Sequence, residues 1–263
     1  MAKNWRIRFR CLTSRLADQI TPAGILLDLD GTVLPVDHRP SPRVMNAVAE
    51  ASKRIPVAIA SGREQDEVGH FARMFGLTTP QVAENGATLM DPITGRAISR
   101  HLIDRATIEP LVEEVAKSAS GILVSDAGRL VRDPADIKDW QISIIMARFA
   151  DEAEARKWAD RYPPDVISAC ATNDNQGDWY LDCTAPGVDK AAGARDFANA
   201  VGAAPEEFLV IGDGSNDLPM FEVAGISVAM EGSTPELIEV ATDVTADLAN
   251  DGAALAIEKY VLG

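Results

Sequence analysis

Residues 24–35 read GILLDLDGTVLP. The apolar run Ile25 to Leu27 predicts a buried strand, yet it leads directly into Asp28 and Asp30. Taking a carboxylate out of water costs several kcal/mol or more unless a cation or strong hydrogen bonds compensate it. Residues two apart on a strand project to the same side, so both acids face one place. Something cationic has to compensate them.

Segments of strand and helix character alternate from residue 24 to about residue 86. Ser41 and Pro42 open a helix as N-cap and first-turn proline, with Val44, Val48 and Ala51 on one face. PVAIAS is a short buried strand, and REQDEVGHFARMFG a helix with an apolar stripe of Val68, Phe71, Ala72 and Phe75 that stops at Gly76. PQVAENG is a third strand. The alternation resumes with KAAGARDFANAVG (helix), EFLVIGDG (strand), NDLPMFEVAG (helix) and ISVAM (strand), closed by two helices, STPELIEVA and GAALAIEKYV. Interleaving of this kind predicts an α/β fold, a Rossmann-like parallel sheet with helices on both faces.

Between these blocks the texture changes. A hairpin around Asp91–Gly95, a helix TIEPLVEEVAKSA, the strand WQISIIMARF, a helix over 151–161 and two strands, VISACAT and DWYLDC, describe an inserted α+β cap. In WQISIIMARF the pattern assigns Ile142, Ile144 and Met146 to the apolar face. The division expected is a core of residues 1–87 and 187–263 with an insert over 88–186.

Composition narrows the function classes. The net charge of −15 argues against a general nucleic-acid binder and favours divalent cations. Cys11, Cys170 and Cys183 are odd in number and form no CxxC, which fits a reducing, cytoplasmic setting better than a disulfide scaffold. No stretch approaches the roughly 18–20 apolar residues of a membrane span. NWRIRFRC near the start alternates apolar and basic residues and reads as a strand with one solvated basic face.

Four groups fall at the C-terminal ends of the expected core strands: Asp28 with Asp30, Ser61-Gly62-Arg63, Glu84-Asn85-Gly86, and the run Gly212 to Asp217. Ligands of open parallel sheets bind beyond those ends. Asp28, Asp30, Asp213 and Asp217 would repel one another without a cation among them, and oxygen-only ligands favour Mg²⁺. Ser61 doubles as the expected N-cap of the following helix. Lys190, at a helix start, is a candidate for countering phosphate charge. His38, His70 and His101 are scattered and receive no role, although His38 follows the first motif closely. Arg96, Arg100, Arg129, Arg132 and Arg148 read as surface charges of the insert.

DLDGT, SGR, the Lys of GVDK and GDGSND occur in the order of the four motifs of the haloacid dehalogenase-like hydrolases, which the chain resembles from about residue 24 to 260. ENGA before the insert, and the insert's position, resemble the Cof-type subgroup with a type IIB cap. The resemblance implies a nucleophile at Asp28 that forms an aspartyl-phosphate, with Asp30 as general acid and base. It implies Mg²⁺ held by Asp28, the backbone carbonyl of Asp30, and Asp213, with Asp217 in direct contact or one step behind. Ser61 and Lys190 would grip the phosphoryl oxygens, Asn216 and Gly62 would add hydrogen bonds, and Arg63 and Asn85 would touch substrate. The substrate implied is a small phosphomonoester, a sugar phosphate or phosphorylated glycoside. Departures are Glu231-Gly232 where the subgroup often has Gly-Asn, and Ala191 where it tends to have glycine. The competing readings are a sugar phosphomutase of the phosphomannomutase kind and a non-catalytic binding protein on the same fold.

Overall fold

The computed structural model describes residues 21–173 and 177–263; the basic stretch at 4–11 and Cys11 lie outside them. β1 (Gly24–Leu27), α1 (Pro42–Ser52), β2 (Val57–Ile59), α2 (Gln65–Met74) and β3 (Gln81–Ala83) follow in turn. The Ser41 hydroxyl accepts from the Val44 amide and caps α1, and Val44, Ala47, Val48 and Ala51 form its buried face. α2 starts differently from expectation. Its N-cap is Glu64, whose carboxylate accepts from the Asp66 and Glu67 amides, while the Ser61 hydroxyl accepts from the Arg63 amide in the preceding turn.

β4 (Thr88–Met90) and β5 (Ala97–Arg100) fold back antiparallel onto β3. They are followed by α3 (Arg105–Ser118), β6 (Gly121–Asp126), β7 (Arg129–Val131), β8 (Ile142–Phe149), α4 (Glu152–Ala159), β9 (Ser168–Asn173) and β10 (Trp179–Thr184). Five of these strands make an antiparallel sheet ordered β7-β6-β8-β10-β9. α3 and α4 cover one face, where Leu111, Val115 and Trp158 pack with Ile145, Ala147, Phe149 and Leu181. The apolar face of β8 is therefore Ile145, Ala147 and Phe149, not Ile144 and Met146. Ile142 still joins the helix-covered side because the pairing with β6 shifts register between Val124 and Asp126. An irregularity of one residue moves every later side chain to the other face.

The chain returns through α5 (Lys190–Val201), β11 (Phe208–Gly212), α6 (Leu218–Val223), β12 (Ile226–Ala229), α7 (Pro235–Val240), β13 (Asp243–Val244) and α8 (Gly252–Ile257). The parallel sheet runs β13-β12-β11-β1-β2, and β3 continues it through a parallel bridge between Ala60 and Val82. Its two faces carry separate apolar clusters. Ile25 and Leu27 of β1 pack with Val48, Val68 and Ile257, whereas Leu26 packs with Phe197, Phe208 and Met220. Alternate residues thus feed opposite layers, each fully buried side chain contributing roughly 1.5–3 kcal/mol. This is why β1 reads as a continuous hydrophobic run.

Gly86 sets the distance between the turn after β3 and the start of α5. It has φ +94°, and a Cβ there would lie 2.0 Å from the carbonyl oxygen of Asp189. Only glycine permits both the conformation and the approach, which brings Lys190 under the sheet's C-terminal edge.

Candidate active site

β1 delivers Asp28 to the sheet's edge, β11 delivers Asp213, and the turn after β11 delivers Asp217. The compensating cation is Lys190, the first residue of α5. Its Nζ donates to Asp28 Oδ1 and Asp217 Oδ1, each at 2.6 Å, and the three side chains are almost wholly buried. Burial works against the charge on Lys190, but the carboxylates of Asp217 and Asp28 outweigh it and raise the ammonium above its ordinary value. Burial, followed by the charge of Asp217, pushes the Asp28 carboxyl well up. The same two causes carry Asp213 up to about 7. One ammonium does not neutralise three clustered carboxyls.

The spare capacity of these acids has a clear distribution. Asp217 has the least: Oδ1 accepts from Lys190 and Oδ2 from the amides of Asp213 and Gly214, at 2.9 Å each. Asp213 Oδ1 accepts from the Thr32 hydroxyl at 2.8 Å. Among the described residues, nothing donates to Asp28 Oδ2 or Asp213 Oδ2. A Cβ on Gly31 would come within 2.2 Å of that Asp213 oxygen, so the glycine of DLDGT keeps the space beside it open. Carboxylate oxygens of Asp28, Asp213 and Asp217 lie within 4.8 Å of one another. An all-oxygen donor set with surplus negative charge and two free oxygens suits a hard divalent cation.

Asp30 stands apart from this cluster. Arg63 holds its carboxylate in a two-bonded fork, Nε to Oδ2 at 2.7 Å and Nη2 to Oδ1 at 2.8 Å. Arg63 also pairs with Glu67, meets His38 Nε2 at 3.1 Å and lies over the Phe71 ring. Arg63 thus faces Asp30, and His38, given no role from sequence, belongs to the same network. Ser61 is buried one turn away, and its carbonyl accepts from the Asn85 amide.

Asn85 links three parts of the molecule. Its Oδ1 accepts from Asn216 Nδ2 at 3.1 Å, and its Nδ2 donates to Asp182 Oδ2, on β10, at 2.9 Å. Gly62 lies against the same amide. Glu84, Asn85 and Gly86 all have positive φ, which aims the Asn85 side chain at this junction. Of the insert's arginines, Arg96, Arg129, Arg132 and Arg148 are exposed, while Arg100 is half-buried and donates to Gln65. Sequence reasoning grouped Asp28, Asp30, Asp213 and Asp217; the structure brings Asp28, Asp213 and Asp217 together around Lys190 and sets Asp30 apart on Arg63. That reasoning missed Thr32, whose position after DLDG was the available signal, and Asp182, for which the strand pattern offered none.

The comparisons with known proteins agree with this geometry. A family profile described as haloacid dehalogenase-like hydrolase matches residues 25–153 and 127–257. The chain is 28% identical over 236 residues to the phosphoglycolate phosphatase of Methanosarcina acetivorans, covering 89% of this chain and 94% of the relative. It is 25% identical over 246 residues to the 5-amino-6-(5-phospho-D-ribitylamino)uracil phosphatase YcsE of Bacillus subtilis, covering 90% and 95%. In fold it is similar to a haloacid dehalogenase-like hydrolase from Bacteroides thetaiotaomicron, with TM-score 0.74, 22% identity, and 90% and 99% coverage. The same holds for the subclass IIB sugar phosphatase BT4131, with TM-score 0.75, 19% identity, and 90% and 98% coverage. The chain belongs to the haloacid dehalogenase-like hydrolases.

Proposed function

We propose that this protein is a Mg²⁺-dependent phosphatase of small phosphomonoesters, foremost a sugar phosphate or phosphorylated glycoside, acting through an aspartyl-phosphate on Asp28. The observation that carries the reading is the state of Asp28. One of its oxygens is pinned by a buried lysine, and among the described residues nothing donates to the other.

In this mechanism Asp28 Oδ2 attacks phosphorus and the bond from phosphorus to the ester oxygen breaks. Asp30 gives a proton to the departing alcohol oxygen. It then takes one from the water that attacks the acyl phosphate, releasing phosphate and restoring Asp28. Lys190 orients the nucleophile, and with Ser61, Gly62 and Asn216 it meets the phosphoryl oxygens. Asp28, the carbonyl of Asp30, and Asp213 would hold Mg²⁺, which when bound neutralises charge on the phosphoryl group. The full engagement of Asp217 supports a positioning role for it, behind Lys190 and Asp213. Arg63 holds Asp30, and Asp30 reaches the ester oxygen by loosening that fork. The cap that covers the leaving group lies within 88–186. The pairing of β4 and β5 with β3 supports leaving 88–100 with the core.

The test is phosphate release from a panel of metabolite monoesters, with Mg²⁺ and with EDTA. Release that requires Mg²⁺ and falls by at least about a thousandfold in Asp28→Asn is expected. Release that survives loss of the Asp28 carboxylate overturns the mechanism.

A further inference from the structure

The antiparallel sheet has one face buried under α3 and α4 and another turned towards the core. On β9 and β10, Cys170 stands directly across from Asp182, and Thr172 across from Tyr180, so these four share the second face. Leu181 and Cys183 point the other way, into the apolar cluster. Asp182 lies two hydrogen bonds from the catalytic turn, through Asn85 to Asn216. It is only 7% exposed, and it is the charged member of the four.

The bonding of Asp182 is lopsided. Oδ2 accepts from Asn85 Nδ2 at 2.9 Å and from the Thr172 hydroxyl at 3.2 Å. Among the described residues, nothing donates to Oδ1. Among the described residues, the cation whose charge reaches Asp182 is Lys190, and it is committed to Asp28 and Asp217. Arg148, across from Tyr180 on β8, pairs with Asp178 at 3.2 Å. A leaving group arriving here meets a recessed carboxylate with one open acceptor and, among the described residues, no spare cation.

We propose that Asp182 is the specificity residue of the cap, accepting a hydroxyl of a polyol or sugar leaving group at Oδ1 and rejecting leaving groups that carry a carboxylate. The inference rests on the phosphatase reading above and adds to it the residue that chooses the ester. A hydroxyl supplies the missing donor, and a site built around such a bond discriminates strongly against substrates lacking it. A carboxylate brought to the same place is a second like charge in a desolvated pocket, which costs more than a missing bond. The relative named a phosphoglycolate phosphatase acts, by its name, on phosphoglycolate, whose leaving alcohol carries a carboxylate. This chain's cap is built for the opposite choice.

The test uses the full chain with Mg²⁺ and three kinds of ester. p-Nitrophenyl phosphate has neither hydroxyl nor carboxylate on its leaving group. A set of hexose, pentose and glycerol phosphates supplies hydroxyls, and 2-phosphoglycolate supplies the carboxylate. The best polyol ester should exceed 2-phosphoglycolate in kcat/KM by about tenfold or more, the worth of a hydrogen bond to a charged group. In Asp182→Asn that ratio should fall by about tenfold, through a higher KM for the polyol ester, which loses its charged acceptor, and a lower one for 2-phosphoglycolate, because the amide can donate to a carboxylate. Equal or better turnover of 2-phosphoglycolate by the unmodified protein overturns the proposal, as does an unchanged ratio in the variant. Should Asp182→Asn not fold, the unmodified ratio decides, together with Thr172→Val, which removes one of the two donors that hold Oδ2, loosens the aim of Oδ1 and should shift the ratio in the same sense but less. Failure to hydrolyse any of the three kinds, p-nitrophenyl phosphate included, brings down the phosphatase reading itself and this inference with it.

Discussion

The core end of the site and the cap end are both built around buried carboxylates, but they are satisfied in opposite ways. In the core, Asp217 uses both oxygens and Lys190 bridges two acids, so the local structure is over-determined. In the cap, Asp182 has two neutral donors on one oxygen and none from the described residues on the other. Opposed full charges fix geometry strongly, whereas a half-satisfied group leaves capacity for a ligand. On the proposed reading, chemistry that must not vary sits in the first environment and selection in the second.

The comparison breaks most visibly at Lys190. Lys190→Met keeps most of the length of the side chain but leaves Asp28 and Asp217 buried without their cation, which should cost about 3–5 kcal/mol in urea unfolding. Added Mg²⁺ should return part of this loss by supplying another positive charge beside Asp28. A variant as stable as the parent in EDTA would show that the bridge does not organise the core end.

The cap end should show itself through pH. Burial raises the Asp182 carboxyl from its ordinary value to about 6. A carboxyl raised on folding holds its proton more tightly in the native state, so its contribution is complete below the unfolded value of 3.8. It is lost as pH rises through about 6. Unfolding monitored in saturating Mg²⁺, which quiets the Asp28 and Asp213 pair, should therefore lose roughly 2–3 kcal/mol between pH 4 and pH 7. Asp182→Asn should flatten that slope, and an equally steep slope in the variant would assign it to other groups. The smallest effect belongs to Thr172→Val. Losing one neutral donor to Oδ2 should lower stability by about 1 kcal/mol at pH 7, with less change at pH 4, where the carboxyl is protonated.

The same contrast explains what could be read from the amino-acid order. The core end was legible because each acid follows a hydrophobic strand, and a charge at such a place demands a partner. Lys190 met that demand at the expected helix start. The cap end was not legible, since Asp182 and Thr172 gain meaning only from which face β9 and β10 turn inward. Periodicity in β8 pointed to the wrong face beyond Ile142, because the register shift beside Val124 is invisible to alternation. At Ser61 local chemistry misled in another way. Serine is a good cap, but Glu64 stands at the true helix start and Ser61 is left to the loop. The pairing of Arg63 with Asp30 joins residues 33 apart in sequence, with no signal in either segment.

The two amide bonds to Asp217 Oδ2 have a consequence for the metal. They shape the turn from Asp213 to Asp217 from within the protein, so its form does not depend on a cation. Ordering entropy, often the largest cost in assembling a coordination site, is then met during folding. A Mg²⁺ ion held there, as proposed, would still have to give up part of its hydration shell. Chelation should accordingly empty the site without unmaking it, leaving a scaffold that reloads as fast as the ion can shed water.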